Sequence, residues 1–267
     1  MSVAVSSWAL HRTIGVSYPD SPASGTQPPE SHSQNPTELL ALPRLLGYHG
    51  YRQMQLCHFH LPSTGEDYVS KFRDALGESG VELLSLLIDD GDITDPEHAA
   101  RDTDWIAGWL EVAQRLGAKR ARVIAGKQPY SLEAMDRAAA NMTRLASATD
   151  MRVDTENWFS LTSTPEHTNE LLDRLEGRLG LCVDFGNWGR SMKYEALPQI
   201  MRRAETIHAK CDFSHSLEVD TEDFNRCLEV ATSSGFDGPY VLVNGGPADE
   251  WEALKVSADF LPGSSKS

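Results

Sequence analysis

The stretch EGRLGLCVDFGNW, residues 176–188, holds one structural unit in condensed form. A glycine stops a helical period, a short apolar run follows, and the run ends on a carboxylate, Asp184. Glycine suits the stop because it takes the left-handed backbone of a helix end without a steric penalty. The same order recurs in ESGVELL (78–84) and RLGAKRARV (115–123), where Gly80 and Gly117 again lead into β-type runs.

Counted outward from there, the β-type runs are VAVSSWAL (3–10), RQMQLCHF (52–59), VELLSLLI (81–88), KRARVIA (119–125), MRVDTE (151–156), LGLCVD (179–184), ETIHAK (205–210) and PYVLVN (239–244). Helical stretches lie between them, including 65–79, 95–116, 131–148 and 164–175. Each opens on a start signal, TGED, TDPEH, SLEA or STPEH, with a capping side chain or an acidic or proline first turn. Eight strand-then-helix units predict one α/β (β/α)8 TIM barrel over residues 1–262. An open doubly wound sheet is the weaker reading, since no G-x-G-x-x-G follows the first strand. The segment SYPDSPASGTQPPESHSQNP (17–36) lacks periodicity and reads as a long loop between the first strand and first helix, inserted on the face where barrel enzymes carry their sites. Residues 263–267 are expected to form a flexible tail.

Composition narrows the function classes. With 24 Lys and Arg against 39 Asp and Glu, the net charge of -15 argues against nucleic acid as a partner, because phosphate neutralisation needs clustered cations. No apolar run approaches the ~20 residues of a membrane span, and the N-terminus has no basic region leading into an apolar core. A cytoplasmic protein without a membrane partner is the expectation. Cys57, Cys182, Cys211 and Cys227 are widely spaced and form no C-x-x-C pair, which predicts buried thiols rather than disulfides or a zinc knuckle.

In a barrel, the carboxyl ends of the strands converge on one mouth. Glu156, Asp184, His208 and Asn244 stand at or near the ends of strands five to eight, each one βα unit from the next. A carboxylate such as Glu156 at the end of an apolar strand needs a partner or a metal to offset its desolvation. Two carboxylates and an imidazole suit a divalent metal ion of the Mn2+, Mg2+, Co2+ or Zn2+ group. The chemistry implied is activation of a carbonyl, with a nearby carboxylate moving the proton from the adjacent carbon. Further candidates at the mouth are His60 with His58, read as alternating with Phe59 along one strand face, and Lys127, at the end of strand four. Lys210 faces the same way as His208 two residues earlier, and Trp158 could form a stacking wall with Trp8 and His11. Asp89, Asp90 and Asp92 form an acidic run after strand three.

The set TENW, LCVDFGNW, HAKCDF and a last strand ending before GGP, with SSWALHR at the start, resembles the xylose-isomerase-like barrel superfamily of sugar and sugar-phosphate isomerases and epimerases. The resemblance spans nearly the whole chain. It implies a small-molecule sugar or polyol substrate, a bound divalent metal and pairing into a homodimer. In the keto-sugar epimerase branch a Glu, an Asp, a His and a second Glu hold the metal, and the two glutamates pass a proton. Glu156, Asp184 and His208 match the first three, while the fourth position falls on Asn244 or Gly245. A substrate-contacting histidine three residues after the strand-six aspartate is replaced by Asn187, and an arginine near the end of strand seven is absent. The resemblance thus implies an isomerase or epimerase with Glu156 as ligand and base, and the positions of Lys127 and Lys210 make one or the other the expected electrostatic support. The missing second glutamate keeps open a lyase or dehydratase, or a sugar-binding barrel without activity. Endonuclease-IV-like members of the superfamily need a larger ligand set and a basic groove, which this acidic chain lacks.

Overall fold

Alternation along each strand sends one set of side chains into the barrel and the other toward the helices. The computed structural model, which describes residues 2–263, closes eight parallel strands into a barrel in chain order. They are β1 (Val3–Ser6), β2 (Gln53–Cys57), β3 (Glu82–Ile88), β4 (Arg120–Val123), β5 (Arg152–Glu156), β6 (Gly180–Asp184), β7 (Ala204–Asp212) and β8 (Tyr240–Gly245). The ring closes where Val3 of β1 registers with Tyr240 of β8. The outer layer is α1 (Leu42–Tyr48), α2 (Glu66–Ser79), α3 (Ala99–Leu116), α4 (Leu132–Ser147), α5 (Pro165–Arg174), α6 (Arg190–Met201), α7 (Thr221–Ser233) and α8 (Glu250–Phe260). No described helix is long and apolar enough to cross a membrane. Of the tail expected over residues 263–267, all but Gly263 lies outside the described residues.

Local chemistry explains where elements stop short of the sequence reading. The first run ends as a strand at Ser6, whose hydroxyl accepts the Trp8 N–H at 3.2 Å and starts a 3-10 turn. The second ends at Cys57 because His58–His60 forms another such turn. Helix α3 begins at Ala99, since the Asp95 carboxylate accepts the N–H groups of Glu97 and His98, both at 2.8 Å, in a preceding turn. The caps expected for α4 and α5 form: Ser131 accepts from Ala134 N–H at 3.1 Å and Thr164 from His167 N–H at 3.3 Å.

The main apolar core lies between strands and helices, where Leu181, Val183, Ile207 and Ala209 are fully buried. Much of the interior of the barrel is charged instead. Near its amino-terminal end Arg120 grips Asp154 through two bonds, 2.6 and 2.8 Å, and shares Glu205 with Arg152. Gly180 makes room for this clasp, since a Cβ there would lie 2.0 Å from Asp154 Oδ1.

The segment between β1 and α1 is tied down. Val16–Ser17 pairs with Glu30–Ser31, and Asp20–Ser21 with Gly25–Thr26, giving two short antiparallel ladders. Asp20 Oδ2 accepts both indole N–H groups of Trp105 and Trp109 on α3, at 2.9 and 3.1 Å. A histidine chain holds the other side. His60 Nδ1 meets Ser7 Oγ at 2.8 Å and its Nε2 meets His11 Nδ1 at 2.9 Å; the His11 ring lies 4.1 Å from that of His32, which bonds Ser17.

This chain makes stability depend on pH. Burial, with His11, His32 and His58 nearby, holds the His60 imidazole down at about 3, whereas an unfolded histidine titrates near about 6.5. Below that value the unfolded chain takes up a proton that the buried ring does not. The stability from the neutral ring is therefore complete above about 6.5 and lost as pH falls toward about 3. We expect the urea midpoint to drop as pH is lowered from neutrality, with this group contributing about 1.4 kcal/mol per pH unit. The His60→Gln protein should lack that part of the slope; identical slopes would show that His60 titrates freely in the fold.

Candidate active site

Strands β4 to β7 each carry an ionisable side chain inward near the mouth. Asp184 and His208 are register partners across β6 and β7, and Cys182 registers with Glu156 across β6 and β5. Asn157 fixes the strand exits relative to each other, its amide donating to Asp184 O at 3.1 Å and accepting from Asp184 N–H at 2.7 Å.

Glu156 is buried at the exit of β5. Its Oε1 accepts from Asn187 Nδ2 at 2.6 Å. Its Oε2 lies 3.0 Å from Arg122 Nε and 3.5 Å from His208 Nδ1, yet no donor is aligned on it as a hydrogen bond. Asp184 Oδ1 accepts the Gly186 N–H at 2.6 Å, and its Oδ2 lies 3.6 Å from the same His208 Nδ1. On the far side of the ring, His208 Nε2 meets Gln55 Oε1 at 2.8 Å. An amide oxygen only accepts, so Nε2 carries the hydrogen and Nδ1 is left facing two carboxylates.

The electrostatics follow from this crowding. Burial alone would raise the Glu156 carboxyl, but His208 and Arg122 outweigh it and hold the group at about 2. Burial alone would lower His208, but Cys182, Glu156 and Asp184 raise it well above the ordinary value. The Arg122 guanidinium is buried between Asp89 and Glu156, with the Trp158 ring 5.1 Å above it. Trp158 in turn packs 4.2 Å from Phe159, whose φ of 60° is a left-handed conformation uncommon for an L side chain.

These groups line a cavity of about 220 Å³, with Arg122, Glu156, Asp184 and His208 on one side and Trp8 and Phe59 on the other. Lys210 lines it too, its stem crossing Gly186, where a Cβ would lie 2.7 Å from Lys210 Cδ. Among the described residues its ammonium makes no hydrogen bond or ion pair. The unaligned Glu156 Oε2, Asp184 Oδ2 and the free face of His208 form a hard oxygen and imidazole set that fits a divalent cation. Cys182 adds a thiol close by: it, Glu156 and His208 offer ligand atoms within 4.8 Å of one another.

Of the residues singled out in the sequence, the structure brings together Glu156, Asp184, His208, Asn187, Trp158 and Lys210, with Trp8 and Asp89. His11, His58, Asp90 and Asp92 lie outside this cavity, as do three residues assigned a binding or ligand role. Asn244 is on the helix side of β8, donating to Ser257 Oγ at 3.0 Å and accepting from Cys211 Sγ at 3.4 Å; Val243 is the β8 residue that lines the cavity. His60 is committed to Ser7 and His11, because the 3-10 turn at 58–60 breaks the strand alternation assumed for it. Lys127 pairs with Asp90 at 2.5 Å in the loop after β4 and lies 5.5 Å from the Phe159 ring. Arg122 and Gln55 were missed. Both were legible as inward positions, since the alternation in RARV points Arg120 and Arg122 to one face and QMQLC does the same for Gln53 and Gln55.

Comparison with known proteins fits this architecture. The search of curated proteins returns no match. Among solved structures, a 3-keto-D-glucoside 4-epimerase from E. coli superposes with a TM-score of 0.65 at 17% identity, covering 85% of this chain and 95% of that one. A D-allulose 3-epimerase from Methylomonas sp. gives 0.68 at 14%, covering 98% of each chain. A probable 3-DHS dehydratase from Bacillus anthracis gives 0.67 at 14%, covering 99% and 100%. At such identities these likenesses show the fold. A family model described as xylose isomerase-like TIM barrel matches residues 44–261, most of the sequence, and the chain belongs to that family.

Proposed function

We propose that the protein is a metal-assisted enzyme that removes a proton beside a carbonyl in a sugar, keto-sugar or related polyol. The observation that carries this reading is Glu156 Oε2, a buried carboxylate oxygen with no aligned donor, facing His208 Nδ1 at 3.5 Å beside Asp184. Glu156, Asp184 and His208 would hold the metal, which when bound polarises a substrate carbonyl and acidifies the adjacent C–H. The chain's own groups do the rest. Asn187 fixes the Glu156 carboxylate by donating to Oε1 at 2.6 Å, which turns Oε2 toward His208 and Asp184 as the ligand atom. Oε1, held by that neutral amide, is the oxygen that would take the proton. Gln55 holds the His208 ring in one tautomer and orientation. Lys210 lies along the same wall and offsets negative charge developing on a substrate oxygen. Trp158 shields the Arg122 and Glu156 pair from water.

The neighbours in fold are named as epimerases and a dehydratase, so both reaction types remain candidates. The side chain that β8 offers to the cavity is Val243, which neither accepts nor donates a proton. A single carboxylate base supports isomerisation or β-elimination better than inversion at one carbon, which needs a second proton-transfer group on the opposite face.

Chelator-stripped protein titrated with Mn2+ in a calorimeter should bind one equivalent, and His208→Ala should bind at least a hundredfold more weakly; absence of binding to the parent would remove the metal. The isosteric Glu156→Gln change should lower turnover of an accepted keto-sugar by a factor on the order of 10² to 10⁴ with the melting temperature little changed. Ligand binding without conversion in the parent would instead mark a binding barrel. The position of β8 gives a paired test. Val243→Glu should tighten Mn2+ binding by adding a carboxylate inside the cavity. Asn244→Glu should destabilise by about 2 kcal/mol or more by leaving an unpaired charge against Ser257. The reverse pattern would mean that the inward and outward faces of β8 are exchanged.

A further inference from the structure

The cavity is divided by chemistry, and the division follows the order of the strands. Its polar half comes from β4 to β7 and the turns after them: Arg122, Glu156, Asp184, Asn187, His208 and Lys210, together with the Trp158 ring over Arg122. The other half comes from β8, β1, β2 and β3, contiguous across the ring, which contribute Val243, Ser6, Trp8, Cys57, Phe59 and Leu87. Ser6 is the one hydroxyl in that half; its oxygen accepts the Trp8 N–H at 3.2 Å, so it offers a single O–H donor at the rim of an otherwise apolar wall. The Asp89 carboxylate marks the seam and is turned toward Arg122. Below the apolar half, Ala4, Leu84, Val241 and Val243 form a separate buried apolar cluster, and the inward amide of β2 there, Gln55, has its oxygen taken by His208 Nε2 at 2.8 Å.

A fully hydroxylated sugar or cyclic polyol has oxygens around its whole perimeter. Seated with two of them toward Glu156 and His208, it would press others against Val243, Leu87 and Cys57, where water is displaced and no strong partner replaces it. Each hydroxyl left that way is penalised in full by its desolvation. A ring with oxygens on one edge only avoids the cost and gains burial of its carbon edge. At interior packing density the volume holds roughly ten to twelve non-hydrogen atoms, the size of one six-membered ring with its substituents.

We infer that the substrate is a single carbocyclic or deoxygenated ring compound, with neighbouring oxygens on one edge and an unoxygenated carbon edge seated on Val243, Leu87 and Phe59. This deepens the functional reading above and rests on its assignment of this cavity as the substrate site. The oxygen edge lies toward the Glu156, Asp184 and His208 wall, within reach of Lys210.

Two probes with the same ring and a shared cis-diol separate the ideas: cis-cyclohexane-1,2-diol and myo-inositol, each titrated into the Mg2+-supplemented full chain. Binding is followed by saturation-transfer NMR. The diol should bind at least tenfold more tightly, and its ring methylene protons should receive more saturation than its carbinol protons. In the near-isosteric Val243→Thr protein, which offers a hydroxyl on the apolar wall, the preference should narrow threefold or more. Equal or tighter binding of myo-inositol to the parent, stronger saturation at the carbinol protons, or a preference unmoved by Val243→Thr would each overturn the inference. Failure of both probes to bind, while Mn2+ still binds and His208→Ala still abolishes that binding, would overturn the ring assignment and leave the metal-assisted reading standing. Loss of the Mn2+ result would remove that reading on its own.

Discussion

A guanidinium enclosed between two carboxylates underlies the whole mouth. Asp89, Glu156 and Asp184 converge on one small cavity, and like charges so enclosed cannot all stay ionised without a compensating cation. Arg122 supplies that charge from the strand between them, paired with Asp89 and 3.0 Å from Glu156. Burial opposes its charge, but Asp89 and Glu156 outweigh that and push its own ionisation further up, so the guanidinium stays charged. Removing one partner of such a buried set costs on the order of 3–5 kcal/mol, because the survivor is left as an unpaired charge. The Glu156 geometry that could serve chemistry is therefore held by a residue with no evident part in proton transfer.

The same principle repeats one layer down. Arg120 with Asp154, and Arg152 with Glu205, occupy inward positions that many barrels fill with Val, Ile and Leu. Burial pushes the Asp154 carboxyl above its usual value even with Arg120 clasping it. The cohesive apolar contacts lie instead between the outward strand faces and the helices, as at Leu181, Val183 and Ile207. The division separates tasks: the outer shell supplies hydrophobic stabilisation, and the interior of β4 to β7 is given over to charge.

How much was legible in the sequence follows from which periodicity governed each residue. The eight strands were readable because apolar runs alternate with helical stretches marked by glycine stops or capping signals, and all eight form. Glu156, Asp184 and His208 were readable because a strand exit fixes a place in the barrel whatever the loops do. Lys127 and His60 were not, for they sit just past the strands, where a turn resets side-chain direction: His60 turns into the Ser7 and His11 chain, and Lys127 reaches Asp90. The segment 17–36 reads as featureless by composition because its order comes from tertiary contacts, the two indoles on Asp20 above all, that no local pattern encodes.

Asn244 shows how sharply a strand's period decides function. Register pairs Lys210 with Val243 and Cys211 with Asn244, so the residue beside the inward lysine is valine and the asparagine shares the outward face with a buried cysteine. A shift of one residue along β8 would exchange the two faces. The sequence position that looked like a substituted ligand is in fact a hydrogen-bonded packing residue against α8. The inward position has two consequences at once. An apolar residue there withholds a second proton-transfer group and also makes that wall hostile to hydroxyls. On the proposed reading, reaction type and substrate shape are thus tied to one side chain: a barrel with Val243 in this place would gain nothing from a substrate that needs protons moved at both faces, and would lose binding energy to one with oxygens on every edge.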